Sequence, residues 1–508
     1  MIEPALAIPL IGEADAPVRP PPVSTARNTA AILIATLISR GIQFIWVLGL
    51  ARLLSPADFG IYGTIGGLIA TAAVIPEFGM GLVVLRDVAQ RPADSGRYLS
   101  AVLVMQPLLA LVGYVALLGV GLLLPNDTPT RILLALAALS LIVDTYGNLY
   151  YSQLIALEKM VATSTIQVIH VLILIVFVFV AVSRGGGLGG LYIATIVAGL
   201  FRVALHWIAA HRAGIQAQWP IDRAVVSHLL RDGWSIMAAS LVRVAYQHID
   251  KVIALAVLGD AMAGYLTAAF VIVFGVTELL NTTVLVALFP LMSRLGRDDA
   301  GALWRLTDRL ALLTIAASLP IAIGISTLAV TLSAWLFPGF SGTAGVLQVL
   351  IWHTVVVMVS NLYGQALVIR RRQRFVLTVR IVSLIINTAL NLILLPRIGI
   401  TGSAVAALIA ESAGLVWLLI ARQPDRPALL TLLSCTLRIG SAGAVMAIVL
   451  LALRTINPFL AVIVSVPIDI GLVWMLRGLP ADDWTLIGTL IAAFIMRVRS
   501  RPDRMSSA

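Results

Sequence analysis

Long apolar segments recur along this 508-residue chain and constrain its fold more than any other feature. A helix needs roughly 20 mostly apolar residues to cross the ~30 Å hydrocarbon core of a bilayer. Segments of that kind occur about 14 times. They are predicted near residues 28–50, 60–84, 98–123, 132–156, 161–182, 188–210, 234–258, 262–290, 309–336, 345–368, 376–396, 399–421, 430–453 and 457–476. The sequence therefore predicts an all-α polytopic membrane protein with about 14 transmembrane helices.

The composition excludes a soluble protein of this length. Hydrophobic residues make up 60% of the chain and charged residues 12%, against about 25% charged residues in a soluble domain. The mean hydropathy is +1.01. The net charge of +11 does not indicate a nucleic-acid partner, because the basic residues lie in short gaps between the apolar segments. A single cysteine, Cys435, excludes a disulfide within the chain, and no zinc pattern occurs.

The distribution of basic residues predicts the orientation in the membrane. With the N-terminus in the cytoplasm, about 25 of the Lys and Arg residues fall in cytoplasmic segments and about five in external ones. A miscounted span would scramble this alternation. We therefore expect both termini in the cytoplasm.

The chain repeats itself at an offset of about 200–215 residues. The triplet NLY at 148–150 returns at 361–363, and PADFGIY at 56–62 returns loosely as DAMAGY at 260–265. Each copy contains an even number of spans, so the copies are parallel rather than inverted. Two six-helix lobes meeting at a central cavity are the architecture of a transporter.

These patterns predict a domain organisation along the chain. The expected parts are a flexible cytoplasmic tail (1–27), an N-lobe (28–213), a cytoplasmic linker (214–232), a C-lobe (233–422), two further spans (428–477), and a cytoplasmic amphipathic helix with a tail (478–508).

Charged residues inside membrane spans are costly, at about 2.5–3.5 kcal/mol near the bilayer centre, and they mark functional sites. The candidates for a substrate-binding cavity are Arg40, Arg243, Gln247, His248, Asp250 and Lys251. Gln247, Asp250 and Lys251 follow Arg243 by four, seven and eight residues, which places them on one helix face. The alternative for Asp250 and Lys251 is a place at the outer membrane interface.

Three intramembrane carboxylates, Glu77, Asp144 and Glu278, are candidates for coupling to a proton or a cation. Glu411 and Asp469 share their apolar surroundings. The alternative for all five is a hydrogen bond between helices or an interfacial position. Two arginines, Arg202 and Arg438, are expected to extend to the cytoplasmic interface.

Motifs for covalent chemistry do not occur in the sequence. There is no phosphate-binding GxxxxGK[ST] loop, no GxSxG elbow and no HExxH pair. We therefore expect no enzymatic activity, no cofactor and no metal site.

Three short motifs resemble a known family. They are ARLLSPADFGIYG at 51–63, EFGMG at 77–81, and HIDK at 248–251 followed by GY at 264–265. In their order they resemble the polysaccharide biosynthesis, or Wzx-type, flippases of the multidrug/oligosaccharidyl-lipid/polysaccharide (MOP) exporter superfamily. The resemblance covers about residues 25–480.

The resemblance implies a MATE-like V of two six-helix lobes with two peripheral helices, in the bacterial inner membrane. It implies transport of undecaprenyl-diphosphate-linked oligosaccharide repeat units to the outer leaflet, for O-antigen, capsule or exopolysaccharide synthesis. Arg40, Arg243 and Lys251 would line a cationic cavity for the diphosphate. A polysaccharide polymerase and a chain-length regulator are the implied protein partners, besides membrane lipids.

Three other functions remain open at this point. A MATE-type exporter of drugs or cations would have the same fold, as would a flippase for a peptidoglycan precursor. If the protein is an enzyme, the alternative is a membrane glycosyltransferase or polymerase, which normally requires a large external loop.

Overall fold

The computed structural model describes residues 41–123, 128–422 and 426–480. These residues form helices joined by short connections, without strands. The helices are α1 Gly41–Leu53, α2 Pro56–Ala72, α3 Val74–Glu77, α4 Met80–Gln90, α5 Ser95–Leu123, α6 Thr128–Ala156, α7 Met160–Ser183, α8 Gly187–Arg212, α9 Arg223–Leu258, α10 Asp260–Asp298, α11 Ala300–Thr327, α12 Ala329–Leu336, α13 Thr343–Ile369, α14 Gln373–Ile398, α15 Thr401–Arg422, α16 Arg426–Leu453 and α17 Pro458–Met475. A single 3₁₀ turn, Pro92–Asp94, precedes α5.

Twelve helical segments in the described residues are long and apolar enough to cross a membrane. This confirms the predicted class of all-α polytopic membrane protein. Two predicted spans are not among the twelve: α1, which the structure describes only from Gly41, and α9, which carries Arg243, Asp250 and Lys251. The number of about 14 spans therefore remains a prediction.

A break in the backbone divides the span predicted over residues 60–84. Phe78 and Gly79 have φ angles of 45° and 69°, in the left-handed region, which interrupts the helical hydrogen bonds between α3 and α4. The apolar segment therefore ends at Glu77. Glycine is required at 79, because a Cβ there would meet Ile236 and the carbonyl of Gly233 on α9.

Side-chain caps fix two helix starts that matter for the site. Ser55 accepts a hydrogen bond from the backbone N–H of Asp58, with Pro56 in the first turn of α2. Asp222 accepts one from Ala224 at the start of α9. Consequently residues 223–232, within the predicted linker, belong to α9.

The first of two compact units comprises the described residues up to Val271, with Phe337–Phe340 and Asn391–Ile400. In it α6 packs on α5 and α8, α7 packs on α8, and α9 packs on α2 and α4. One apolar core of this unit contains Met80, Val84, Leu99, Leu149 and Leu229. This packing fixes α9 along its length against helices from the first half of the chain.

The second unit comprises Ile272–Leu336, Ser341–Leu390 and the described residues from Thr401 onward. Here α13 packs between α11 and α15, and the pair α16–α17 packs on α11. One core surrounds the buried Tyr363, and two smaller ones, around Ile439 and Met446, join α16 and α17 to this unit.

Several predictions concern residues outside the described part of the chain. These are the tail at 1–27, Arg40, and the amphipathic helix and tail in 478–508 beyond residue 480. The predicted lobe and linker boundaries likewise remain predictions.

Candidate functional site

The polar residues predicted for the cavity lie on α9, in the first unit. Arg243 and Gln247 are exposed, and His248 is partly buried. Asp250 and Lys251 are only 2% and 7% exposed. Along α9, the polar side chains are therefore accessible at Arg243 and Gln247 and enclosed by protein at Asp250 and Lys251.

The carboxylate of Asp250 is held by an asparagine from a distant part of the sequence. Nδ2 of Asn391, on α14, donates a hydrogen bond to Oδ1 of Asp250 at 2.6 Å, and Asn391 is completely buried. A buried carboxylate needs such donors, because its desolvation is otherwise too costly. Sequence reasoning did not find Asn391. The available signal was a pair of asparagines four residues apart, Asn387 and Asn391, inside an apolar span.

Lys251 is enclosed by groups from three helices. Its ammonium nitrogen lies 3.4 Å from Nδ1 of His248 and 5.2 Å from the centroid of the Phe270 ring. The hydroxyl of Thr64, on α2, donates to its backbone carbonyl at 3.4 Å. A cation over an aromatic face retains part of the stabilisation that water would otherwise provide. Lys251 is thus surrounded by protein rather than exposed at a membrane surface.

Arg243 and Glu77 lie within electrostatic range of each other. Glu77 ends α3 just before the backbone break, its side chain is exposed, and the two charges are close enough to attract each other. The sequence assigned Arg243 to substrate binding and Glu77 to ion coupling. Both residues belong to the first unit, and the two assigned roles stay predictions.

Asp144 is paired with an arginine in a different set of helices. Nη2 of Arg202, on α8, donates to Oδ1 of Asp144 at 2.8 Å and to its backbone carbonyl at 3.2 Å. The Arg202 side chain is only 12% exposed. The carboxylate of Asp144 on α6 is thus a direct partner of Arg202, and the expected place of this arginine at the membrane interface stays a prediction.

Glu278 lies on the part of α10 that belongs to the second unit, and its side chain is partly buried. Its neighbour Thr277 shares a hydrogen bond of 2.8 Å with Thr354 on α13. One turn further, Nδ2 of Asn361 donates to Oδ1 of Asn281 at 3.3 Å. Polar contacts therefore line the seam between α10 and α13 on both sides of Glu278.

A second charged cluster lies in the second unit, where Glu411, named in the sequence analysis, is paired with Arg380, which that analysis missed. Nη1 of Arg380 lies 2.9 Å from Oε1 and 3.0 Å from Oε2 of Glu411, and Nη2 donates to Oδ1 of Asn361 at 3.0 Å. The signal in the sequence was an arginine within the apolar segment 376–396. Within the described residues, no group of three or more His, Cys, Asp or Glu side chains could hold a metal ion.

The sequence and the fold both match known proteins. A model of the polysaccharide biosynthesis protein family matches residues 25–296, which is more than half of the chain. The chain belongs to this family. A search of curated proteins finds no match.

Solved structures of MOP superfamily transporters share the fold. The lipid II flippase MurJ in an inward closed conformation has a TM-score of 0.67 at 15% identity, covering 88% of this chain and 97% of its own. An inward-facing multidrug resistance MATE family transporter has a TM-score of 0.56 at 16% identity, covering 79% and 97%. A MOP superfamily transporter from Pyrococcus furiosus, whose binding pocket is described as reversed in polarity, gives 0.51 at 14%, covering 79% and 94%. At these identities the likeness concerns the fold alone.

Proposed function

We propose that this protein is a flippase that moves undecaprenyl-diphosphate-linked oligosaccharide repeat units across the bacterial inner membrane for surface polysaccharide synthesis. The observation that carries the proposal is the exposed Arg243 on α9, the helix that also holds Lys251. Membership in the polysaccharide biosynthesis family supports the same substrate class.

The chemistry of the substrate explains why an arginine is suited to this place. A diphosphate does not enter hydrocarbon unaided, because the desolvation of its charges is prohibitive. A guanidinium binds phosphate oxygens through paired N–H groups and remains charged at any physiological pH. Arg243 would hold the diphosphate while the polyprenyl chain stays in the lipid, and no covalent step is required.

The enclosed residues of α9 would support this function indirectly. Asp250 and Asn391 hold the helix against α14, while Lys251 adds positive charge beside His248. Glu77, near Arg243, would balance the guanidinium when no substrate is bound. Release on the outer side would follow from alternating exposure of the site.

The test is to delete the gene and analyse the lipid-linked intermediates. We expect repeat units on undecaprenyl diphosphate to accumulate at the inner leaflet while surface polymer disappears. The sugars on the accumulated lipid would then identify the glycan. Unchanged surface polymer with no accumulated intermediate would refute the proposal.

The same experiment separates the two related alternatives. A lipid II flippase with this fold is known, and a peptidoglycan-precursor flippase would accumulate peptide-bearing lipid and weaken the cell wall. A drug exporter like the similar MATE transporter would instead leave glycans intact and raise sensitivity to cationic drugs on deletion.

A further inference from the structure

The buried pair Arg380–Glu411 has a geometry that suits the exchange of one anion for another. Glu411 lies at the middle of the 22-residue helix α15 and is 1% exposed. The Arg380 side chain is 24% exposed. Part of the Arg380 side chain is therefore open to the surroundings of the protein, whereas the carboxylate of Glu411 is enclosed.

The surroundings hold the guanidinium in place from a second direction. Nη2 of Arg380 donates to Asn361, which in turn donates to Asn281. The network thus joins α10, α13, α14 and α15. If Nη1 leaves Glu411, the hydrogen bond to Asn361 can keep the guanidinium in the site.

A buried histidine completes the group of titratable side chains. His353, on α13, is 6% exposed and lies within electrostatic range of both Glu411 and Arg380. Its Nδ1 has no hydrogen-bond partner among the described residues. On α10, Glu278 lies three residues before Asn281 and is partly buried. Among the described residues, His353 is thus a titratable group on α13 close to the pair, and Glu278 is one on the same helix as Asn281.

We infer that Arg380 is a second binding group for the phosphate-bearing headgroup, and that Glu411 takes up a proton when the headgroup displaces it from Arg380. The inference rests on the proposed function, since it requires an anionic substrate. The carboxylate accepts one proton from water and becomes a neutral carboxyl group. The guanidinium stays charged and exchanges one anionic partner for another.

Anion binding at Arg380 and protonation of Glu411 depend on each other for an electrostatic reason. A buried carboxylate that loses its cation is too costly to remain charged at 1% exposure. Protonation removes that cost, so anion binding at Arg380 and proton binding at Glu411 favour each other. By linkage, a proton gradient would then bias where the headgroup binds and where it is released.

The experiment measures protons taken up when the full-length purified protein binds farnesyl diphosphate, a short polyprenyl diphosphate. Calorimetry in two buffers of different ionisation enthalpy gives the number of protons per bound ligand. We expect the wild type to take up about one proton more than Glu411→Gln, because the amide cannot accept it. Glu411→Gln keeps an oxygen acceptor for Arg380 and should still bind the probe. Arg380→Gln should bind at least about tenfold more weakly.

Controls assign each outcome. Asp308→Asn removes a carboxylate paired with Arg422 in the same unit and should leave proton uptake unchanged. Equal uptake by the wild type and Glu411→Gln overturns the inference and leaves the proposed function standing. Proton uptake that is lost in His353→Gln but retained in Glu411→Gln also overturns the inference. If the wild type does not bind the probe, both the inference and the proposed function fail.

A fallback variant covers the case in which Arg380→Gln does not fold. The double variant Arg380→Gln/Glu411→Gln replaces the charged pair with two amides and leaves no uncompensated charge. It should bind the probe as weakly as expected for Arg380→Gln and show no extra proton uptake. Binding at wild-type strength by the double variant would contradict the role of Arg380.

Discussion

Gly60 on α2 packs against the start of α10, and Gly264 on α10 packs against the start of α2. A Cβ on Gly60 would collide with the carbonyl oxygen of Asp260, and a Cβ on Gly264 with that of Pro56. The two glycines are 204 residues apart and occupy the same place in the repeated segments at 56–62 and 260–265. The internal repeat therefore appears in three dimensions as a locally symmetric crossing of two helix N-termini.

Gly60→Ala should destabilise the protein. The added methyl group meets backbone rather than a side chain, so the helices must separate, at a cost of about 1–3 kcal/mol. The measurement is the thermal unfolding midpoint of the purified protein in detergent. Gly66→Ala on the same helix is the matched control, because nothing lies within 4 Å of a Cβ there. Equal midpoints for the two variants would show that the crossing tolerates a side chain.

Patterns local in sequence were predictable before the structure was known. The spacing of apolar residues predicted the helices, and the repeated motif marked the two segments that contain Gly60 and Gly264. Helix periodicity placed Arg243 and Gln247 on one stripe with Asp250. In each case the information lies within a few turns of one helix, where residues three, four and seven apart share a face.

Contacts between distant segments were not predictable from one sequence. Asp250 and Asn391 are 141 residues apart, and Arg202 and Asp144 are 58 apart. Periodicity shows that a polar group faces protein but not which helix supplies its partner. The backbone break at Phe78 was missed for another reason: the apolar run continues through it, and the close approach of Gly233 to Phe78 is a contact between distant segments.

Arg243→Ala should reduce export of surface glycan by about 10- to 100-fold, since hydrogen bonds to charged groups contribute about 1.5–3 kcal/mol. The measurement is polymer at the cell surface, normalised to protein found in the membrane. Arg184→Ala is a suitable control, because Arg184 is an exposed arginine at the end of α7. Normal export by a stably inserted Arg243→Ala variant would remove this residue from the proposed site.

Asp250 and Asn391 should show energetic coupling in a double-mutant cycle. Asn391→Ala removes a buried donor to a carboxylate, and Asp250→Asn removes the charge that the donor stabilises. We expect a coupling of about 1.5–3 kcal/mol in stability, as for other hydrogen bonds to charged groups. Unfolding of the wild type, both single variants and the double variant gives this value. Additive effects of the two substitutions would mean that the hydrogen bond contributes nothing of its own.

A charged cluster around Asp87, which lies outside the membrane spans, joins α4 to α9 and suggests a pH experiment. Asp87 lies 2.7 Å from Nε of Arg86, 2.7 Å from Nε2 of His228 and 3.0 Å from the hydroxyl of Tyr98. Burial alone would raise the pKa of the Asp87 carboxyl, but the hydrogen bonds from these three side chains outweigh it and lower the pKa below 3.8. Nη2 of Arg86 also donates to Asp232, on α9, at 2.9 Å.

Because the pKa of Asp87 is lower in the folded protein than in the unfolded chain, the carboxylate stabilises the fold above pH 3.8. That contribution is lost as the pH falls below 3.8 through the folded-state pKa. We therefore expect Asp87→Asn to lower the unfolding midpoint at neutral pH, and the difference from the wild type to stay constant down to about pH 5 and shrink below pH 4. Thermal unfolding of both proteins across this range provides the measurement. A difference that persists at the lowest pH would mean that packing of the side chain, rather than its charge, holds α4 to α9.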